Sequence, residues 1–279
     1  MNHRNTLVGF TVDSFQGLTP SVIIAGLRMI GVEFIEITKT VFSEVDAVSK
    51  KIGSMRTGFH LPLMHDDGWD FSCIDFTEKI DETINNINRH KESLNLIYAV
   101  SHPPESKMYD SPCDSSPEYL FENLKKLRVP VYLENVPGYS PEEFQDLFRQ
   151  AQSILGSNLA GMCFDGPHFF VRGYNPLDEF QRFFDRIGCI HLSDCHKDDD
   201  AHLPFNNGGV FPVEDFLQKV KGTKFSGPIT LEIKPNSLKE LDIFIASYLK
   251  ALRYLDYKKF IASRLRWLAL KPVVHHFLN

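Results

Sequence analysis

The sequence has no C-x-x-C pair, no excess of basic residues, no glycine-rich phosphate turn after its first apolar run and no apolar run approaching bilayer length. Each absence removes a class of function. Thirty Lys and Arg against 36 Asp and Glu leave a formal charge of -6, which argues against a non-specific nucleic-acid binder. Five cysteines (Cys73, Cys113, Cys163, Cys189 and Cys195) make an odd count without paired spacing, and Cys163 and Cys189 lie inside apolar runs. They read as reduced thiols, small hydrophobes in a cytoplasmic protein. Residues Met1 to Thr6 lack a signal-peptide layout, and the expectation is a soluble chain. What the chain does have is phenylalanine, 23 of them, enough for aromatic-rich packing between helices and sheet.

Short apolar runs alternate with longer amphipathic stretches from end to end. The runs cover 6–12, 32–37, 55–63, 94–100, 129–133, 159–164, 188–192 and 228–233, and each reads as a buried parallel strand. Thr19-Pro20, Ser116-Pro117, Ser140-Pro141 and Asn175-Pro176 each place a capping residue before a proline at the first helical position. Eight strands and eight helices predict a closed (β/α)8 TIM barrel, a parallel eight-stranded barrel forming a single domain over residues 1–279. An open doubly wound sheet fits less well without a phosphate turn. Residues 238–279 form an extended C-terminal helical segment that packs on the barrel; its pattern from Lys239 to Leu265 suits one long helix or two.

In such a barrel every strand C-terminus points to one face, so scattered residues meet. The acids and imidazoles at those ends are His60 and His65, His102, Glu134, Asp165 and His168, His191 and Asp194, Asp200 and His202, and Glu232. Nitrogen and oxygen donors without cysteine suit a divalent metal, Zn or Mn or Fe. So many carboxylates on one low-dielectric rim would repel one another unless cations compensated them. Taken singly, each residue also reads as an ordinary loop group.

The chain resembles the xylose isomerase-like TIM barrels, which include sugar isomerases, sugar epimerases and endonuclease IV. The resemblance rests on Leu133-Glu-Asn135, Asp165-Gly-Pro-His168, Ile190-His-Leu-Ser-Asp194, Leu231-Glu-Ile233 and the Asp200-Ala-His202 loop, in order over residues 55 to 235. For the isomerase and epimerase branch it implies one metal on Glu134, Asp165, His191 and Glu232. Glu134 and Glu232 would then exchange a substrate proton, with His60, His168, Trp69 and Lys234 as substrate-binding candidates. For the endonuclease IV branch it implies three zinc ions. His102 and Glu134 would serve the first, with His60 or His65. Asp165, His191 and Glu232 would hold the second, and His168, Asp200 and His202 the third. Acidic loops at Asp66, Asp67, Asp70, Asp198 and Asp199, and the lack of a basic cluster, disfavour a DNA backbone. The favoured expectation is therefore isomerisation or epimerisation of a sugar, polyol or sugar phosphate with one to three metal ions. Abasic-site DNA cleavage and a non-catalytic metal-binding barrel are the alternatives, and nucleic acid and membrane are not expected partners.

Overall fold

The computed structural model describes residues 6–105, 108 and 113–278. Eight parallel strands close into a ring: β1 (Val8–Val12), β2 (Phe34–Ile37), β3 (Arg56–His60), β4 (Leu96–Ser101), β5 (Val131–Glu134), β6 (Leu159–Asp165), β7 (Ile187–Leu192) and β8 (Ile229–Leu231). Neighbours pair in sequence order, and β1 pairs with β8 through Val8 with Ile229 and Phe10 with Leu231. Each strand falls inside or within two residues of its apolar run.

The α-helices are α1 (Pro20–Met29), α2 (Val45–Ile52), α3 (Met64–Asp67), α4 (Thr77–His90), α5 (Pro117–Leu124), α6 (Pro141–Leu155), α7 (Gly166–Val171), α8 (Pro176–Phe183), α9 (Val213–Lys221), α10 (Leu241–Leu255) and α11 (Tyr257–Leu278). All four marked starts hold. At α6 the Ser140 hydroxyl accepts from Glu143 N at 3.2 Å while the Glu143 carboxylate accepts from Ser140 N at 2.8 Å, a reciprocal cap. The expected eight helices become eleven among the described residues, because α3 and α7 are short helices on strand-end loops and the tail divides at Asp256.

Apolar side chains sort into two places. Between sheet and helices, Phe164 stacks on Phe216 at 5.9 Å and meets Phe180 edge-on at 5.5 Å, as the phenylalanine content anticipates. Inside the ring, Phe34, Tyr98, Val100, Cys163 and Cys189 form a separate buried cluster with Tyr132 against it. Two glycines make room for the rings. A Cβ on Gly58 would fall 2.5 Å from the Tyr98 ring, and one on Gly188 would fall 2.0 Å from the Tyr132 ring. This aromatic plug closes the barrel below the strand C-termini and forms the floor of what lies above.

One cysteine expectation is corrected. Cys73 and Cys113 form a disulfide, Cα to Cα 5.7 Å, because an antiparallel bridge between Cys73 and Ser115 draws the loop after β3 to the loop after β4. Forty residues of separation hide that meeting in the sequence. Cys163, Cys189 and Cys195 are free and buried, as expected. Among the described residues no helix is long and apolar enough to cross a membrane.

Candidate metal centre

Strand geometry explains how the polar residues converge. Side chains alternate faces along a strand, so in β2 Phe34 and Glu36 both point inward, one layer apart. The same alternation stacks Tyr132 under Glu134 and Cys189 under His191. Above the aromatic floor the inward layer is therefore polar: Glu36, His60, Glu134, Asp165 and His191, all buried, with Glu232 just beyond β8.

Glu134 sits at the middle. One of its oxygens, Oε2, lies 3.5 Å from His60 Nε2, 3.4 Å from His102 Nε2 and 3.0 Å from His191 Nδ1; the other, Oε1, lies 3.4 Å from His168 Nδ1. Three candidate donor sets share it, one of them with Cys163 and His191. His60, His102 and Glu134 bring ligand atoms within 4.8 Å of one another, as do Glu134, Asp165, His191 and Glu232. Beside them Asp200 Oδ2 lies between His168 Nε2 at 3.0 Å and His202 Nε2 at 3.3 Å.

Four of the five imidazoles have their second nitrogen hydrogen-bonded, and the fifth, His191, only approaches a carboxylate. His60 Nδ1 donates to the Leu61 carbonyl at 2.9 Å, His168 Nδ1 to the Asn135 carbonyl at 2.7 Å and His202 Nδ1 to the Glu232 carbonyl at 3.0 Å. His102 Nδ1 meets Glu105 at 2.5 Å, and His191 Nε2 lies 3.0 Å from Glu36 Oε1. That pattern fixes the tautomer of the four and leaves one nitrogen of each ring facing the centre, as metal-binding histidines require. Asn135 holds Asp165 by both main-chain groups, its amide donating to Asp165 O at 2.8 Å and accepting from Asp165 N at 2.9 Å.

The electrostatics describe a dense cluster of buried acids and imidazoles that shift one another. Burial opposes ionisation of Asp165, and Asp200, Glu134 and Glu232 push its pKa further up, well above the usual carboxylate range. Burial also opposes charging of His102, but Glu134 and Glu105 outweigh it and raise its pKa to about 10. Burial raises and then His168 lowers Asp200, which ends at about 2. Both Glu134 oxygens, both His191 ring nitrogens, Glu36 Oε1 and Asp200 Oδ1 are buried without an aligned hydrogen-bond partner. Close contacts without alignment are costly for buried polar groups in an ion-free cluster and natural where each atom has a metal to face. The donor set fits divalent ions.

Placement of the remaining candidates separates them. His60 stands in the centre, whereas His65 is 62% exposed on α3 beside Asp66. Trp69 is buried against Phe71 with Lys39 over its ring, so it offers no open face for a substrate. Lys234 is exposed and pairs with Asp66 at 3.4 Å. Asp194 is a loop staple: its carboxylate accepts from the backbone N–H of Cys195, Asn206 and Phe211. Sequence reasoning missed Glu36 and Glu105. Glu36 was findable as an acid inside an apolar strand run, and Glu105 as an acid three residues after a strand-end histidine.

A family profile described as Xylose isomerase-like TIM barrel matches residues 62–255. No curated protein matches the sequence. Among solved structures the chain is similar to an AP endonuclease, family 2, from Brucella melitensis, with a TM-score of 0.65, 11% identity, and 88% of this chain and 99% of that one covered. It is also similar to a D-allulose 3-epimerase from Methylomonas sp. in complex with D-allulose, with a TM-score of 0.63, 15% identity and coverage of 92% and 97%. A D-tagatose 3-epimerase-like protein gives a TM-score of 0.62 at 18% identity, covering 90% and 98%. At these identities the likeness is one of fold. With the profile spanning most of the barrel, the chain belongs to the xylose isomerase-like TIM barrel family.

Proposed function

We propose that this chain is a multi-metal hydrolase of small phosphodiesters, with Glu134 as a carboxylate shared between ions. The observation that carries this reading is the enclosure of Glu134: it is fully buried, and four histidine rings lie within 3.0–3.5 Å of its two oxygens. A glutamate so enclosed suits a ligand shared by several donors better than a base that must approach a substrate carbon. The one-ion isomerase reading also leaves His102, Asp200 and His202 without a task. Two donor sets without cysteine meet at Glu134, one with His60 and His102 and one with Asp165, His191 and Glu232, and we assign a third ion to Asp200 between His168 and His202. When bound, divalent ions would activate water and neutralise the charge that develops on a phosphoryl group.

The protein's own residues supply position. The four hydrogen-bonded imidazoles and Asn135-held Asp165 keep the donors in place before substrate arrives. Glu232, 13% exposed, is the carboxylate at the open side, placed to take the proton of the attacking water. The new P–O bond to that water forms as one ester P–O bond breaks, and the leaving alkoxide takes up a proton. The acids of α3 and of the loop at Asp198 and Asp199 support a small substrate over a DNA backbone.

The competing reading, sugar epimerisation, draws on solved structures of similar fold whose names are epimerases. Elemental analysis of protein purified without chelator separates the two. The expected result is about three divalent ions per chain, together with hydrolysis of bis(p-nitrophenyl) phosphate that is lost on removing the ions. About one ion per chain, with solvent deuterium entering a ketose, would sink the hydrolase. An abasic-site duplex tests the DNA substrate in the same preparation.

A further inference from the structure

The last helix and the strand N-termini carry a second surface. The family profile stops at Leu255, and α11 begins two residues later. One face of α11 is accounted for: Trp267 and Ser263 are buried, and Phe260, Leu270 and Val274 pack against the core. The outer face is not. Tyr257, Ile261, Leu265 and Leu268, spaced four, four and three, are 39–63% exposed and form one apolar stripe. At helical spacing Arg264 borders the stripe on one side, and Lys258 and then Arg266 border it on the other. Residues 257–278 include five Lys and Arg and no acid, in a chain whose net charge is -6.

A second observation lies beside it. A cavity of about 320 Å³ opens at the strand N-termini, lined by Arg28, Gly31, Glu33, Ser54, Arg56 and Arg266. The Arg266 guanidinium rests against Gly31, so α11 itself supplies one wall. Glu33, the acid in the lining, is answered by Lys259 of α11 at 2.7 Å. Three arginines around one cavity suit a phosphate group.

We propose that α11 and this arginine cavity form a docking surface for an anionic phospholipid bilayer. The stripe inserts at the headgroup boundary, and the cavity takes a lipid phosphate. An apolar helix face bordered by arginine and lysine is the pattern of an interfacial helix. A second copy of this face is a poor occupant, because a two-fold pairing would set Lys258, Arg264 and Arg266 near their own kind with no acid in α11 to answer them. The net negative charge elsewhere repels an anionic bilayer, so this face is the one that approaches it.

The test is partition of the full chain onto vesicles of phosphatidylcholine alone or with about a third phosphatidylglycerol. The expected result is binding to the anionic vesicles only, weakened by salt. Leu265→Glu with Leu268→Glu should weaken it at least tenfold. Arg264→Gln with Arg266→Gln spares the apolar stripe and should weaken it about fivefold per arginine. Unchanged thermal unfolding and metal content identify variants that fold. No partition onto anionic vesicles, equal partition onto neutral ones, or indifference to both pairs of substitutions would overturn the proposal. So would a dimer in light scattering that the leucine pair disperses, or binding of inorganic phosphate without vesicle binding.

Discussion

At the scale of single residues, Asp165 and His168 show how three positions can separate two tasks. Asp165 is locked by Asn135 into the central set, while His168 presents its Nε2 to Asp200. Glu36 acts one step further out. Its Oε1 faces His191 Nε2, and its Oε2 accepts from Tyr98 at 2.7 Å and sits 3.3 Å from Thr230 Oγ1. It is therefore a positioning residue for His191. Glu36→Gln should lower metal affinity about 10- to 100-fold, measured by competition with a chromogenic chelator, while the metal-free protein unfolds at an unchanged temperature. An unaltered affinity would remove Glu36 from the centre. The residues legible in the sequence were those at strand ends, because barrel topology alone predicts their meeting. His60 and His65 could not be told apart, since the turn that throws His65 outward depends on Asp67 accepting from Leu63 N. That bond forms across four residues in a loop whose path no periodicity encodes.

Elements were legible where local chemistry dictates them. Capping residue and proline together fixed four helix starts, and apolar runs located eight strands. The extra helices α3 and α7 were not, because at four and six residues each is too short for a helical pattern. The break at Asp256 was equally hidden, since apolar residues continue on both sides of it. Within the sheet, the fit of Gly188 to the Tyr132 ring is a packing constraint with a measurable cost. Gly188→Ala should destabilise the barrel by about 1–3 kcal/mol through overpacking, read from urea unfolding. Tyr132→Leu on that background should restore part of the loss if the ring is the obstacle. No recovery would place the strain in the strand backbone.

For the whole molecule, charge and closure are coupled. His102 is raised from its ordinary value to about 10 in the ion-free cluster, so its contribution to stability is full below the unfolded value and lost as pH rises through about 10. Asp200, held at about 2, contributes above its ordinary value and loses that contribution as pH falls through about 2. Metal-free protein should therefore lose thermal stability from neutral pH toward pH 10, while metal affinity climbs over the same interval as imidazoles give up protons. Adding ions in weak buffer at neutral pH should release protons, and a silent pH electrode would show that the cluster is already deprotonated. The ring of strands has one more consequence. The candidate donors run from residue 60 to residue 232 and stand on or just beyond six strands of a sheet that is complete only when β1 meets β8. No set built on Glu134 is held by a single pair of neighbouring strands. Only the closed ring brings the Glu134 sets together, so ion binding and barrel closure should be linked, each favouring the other.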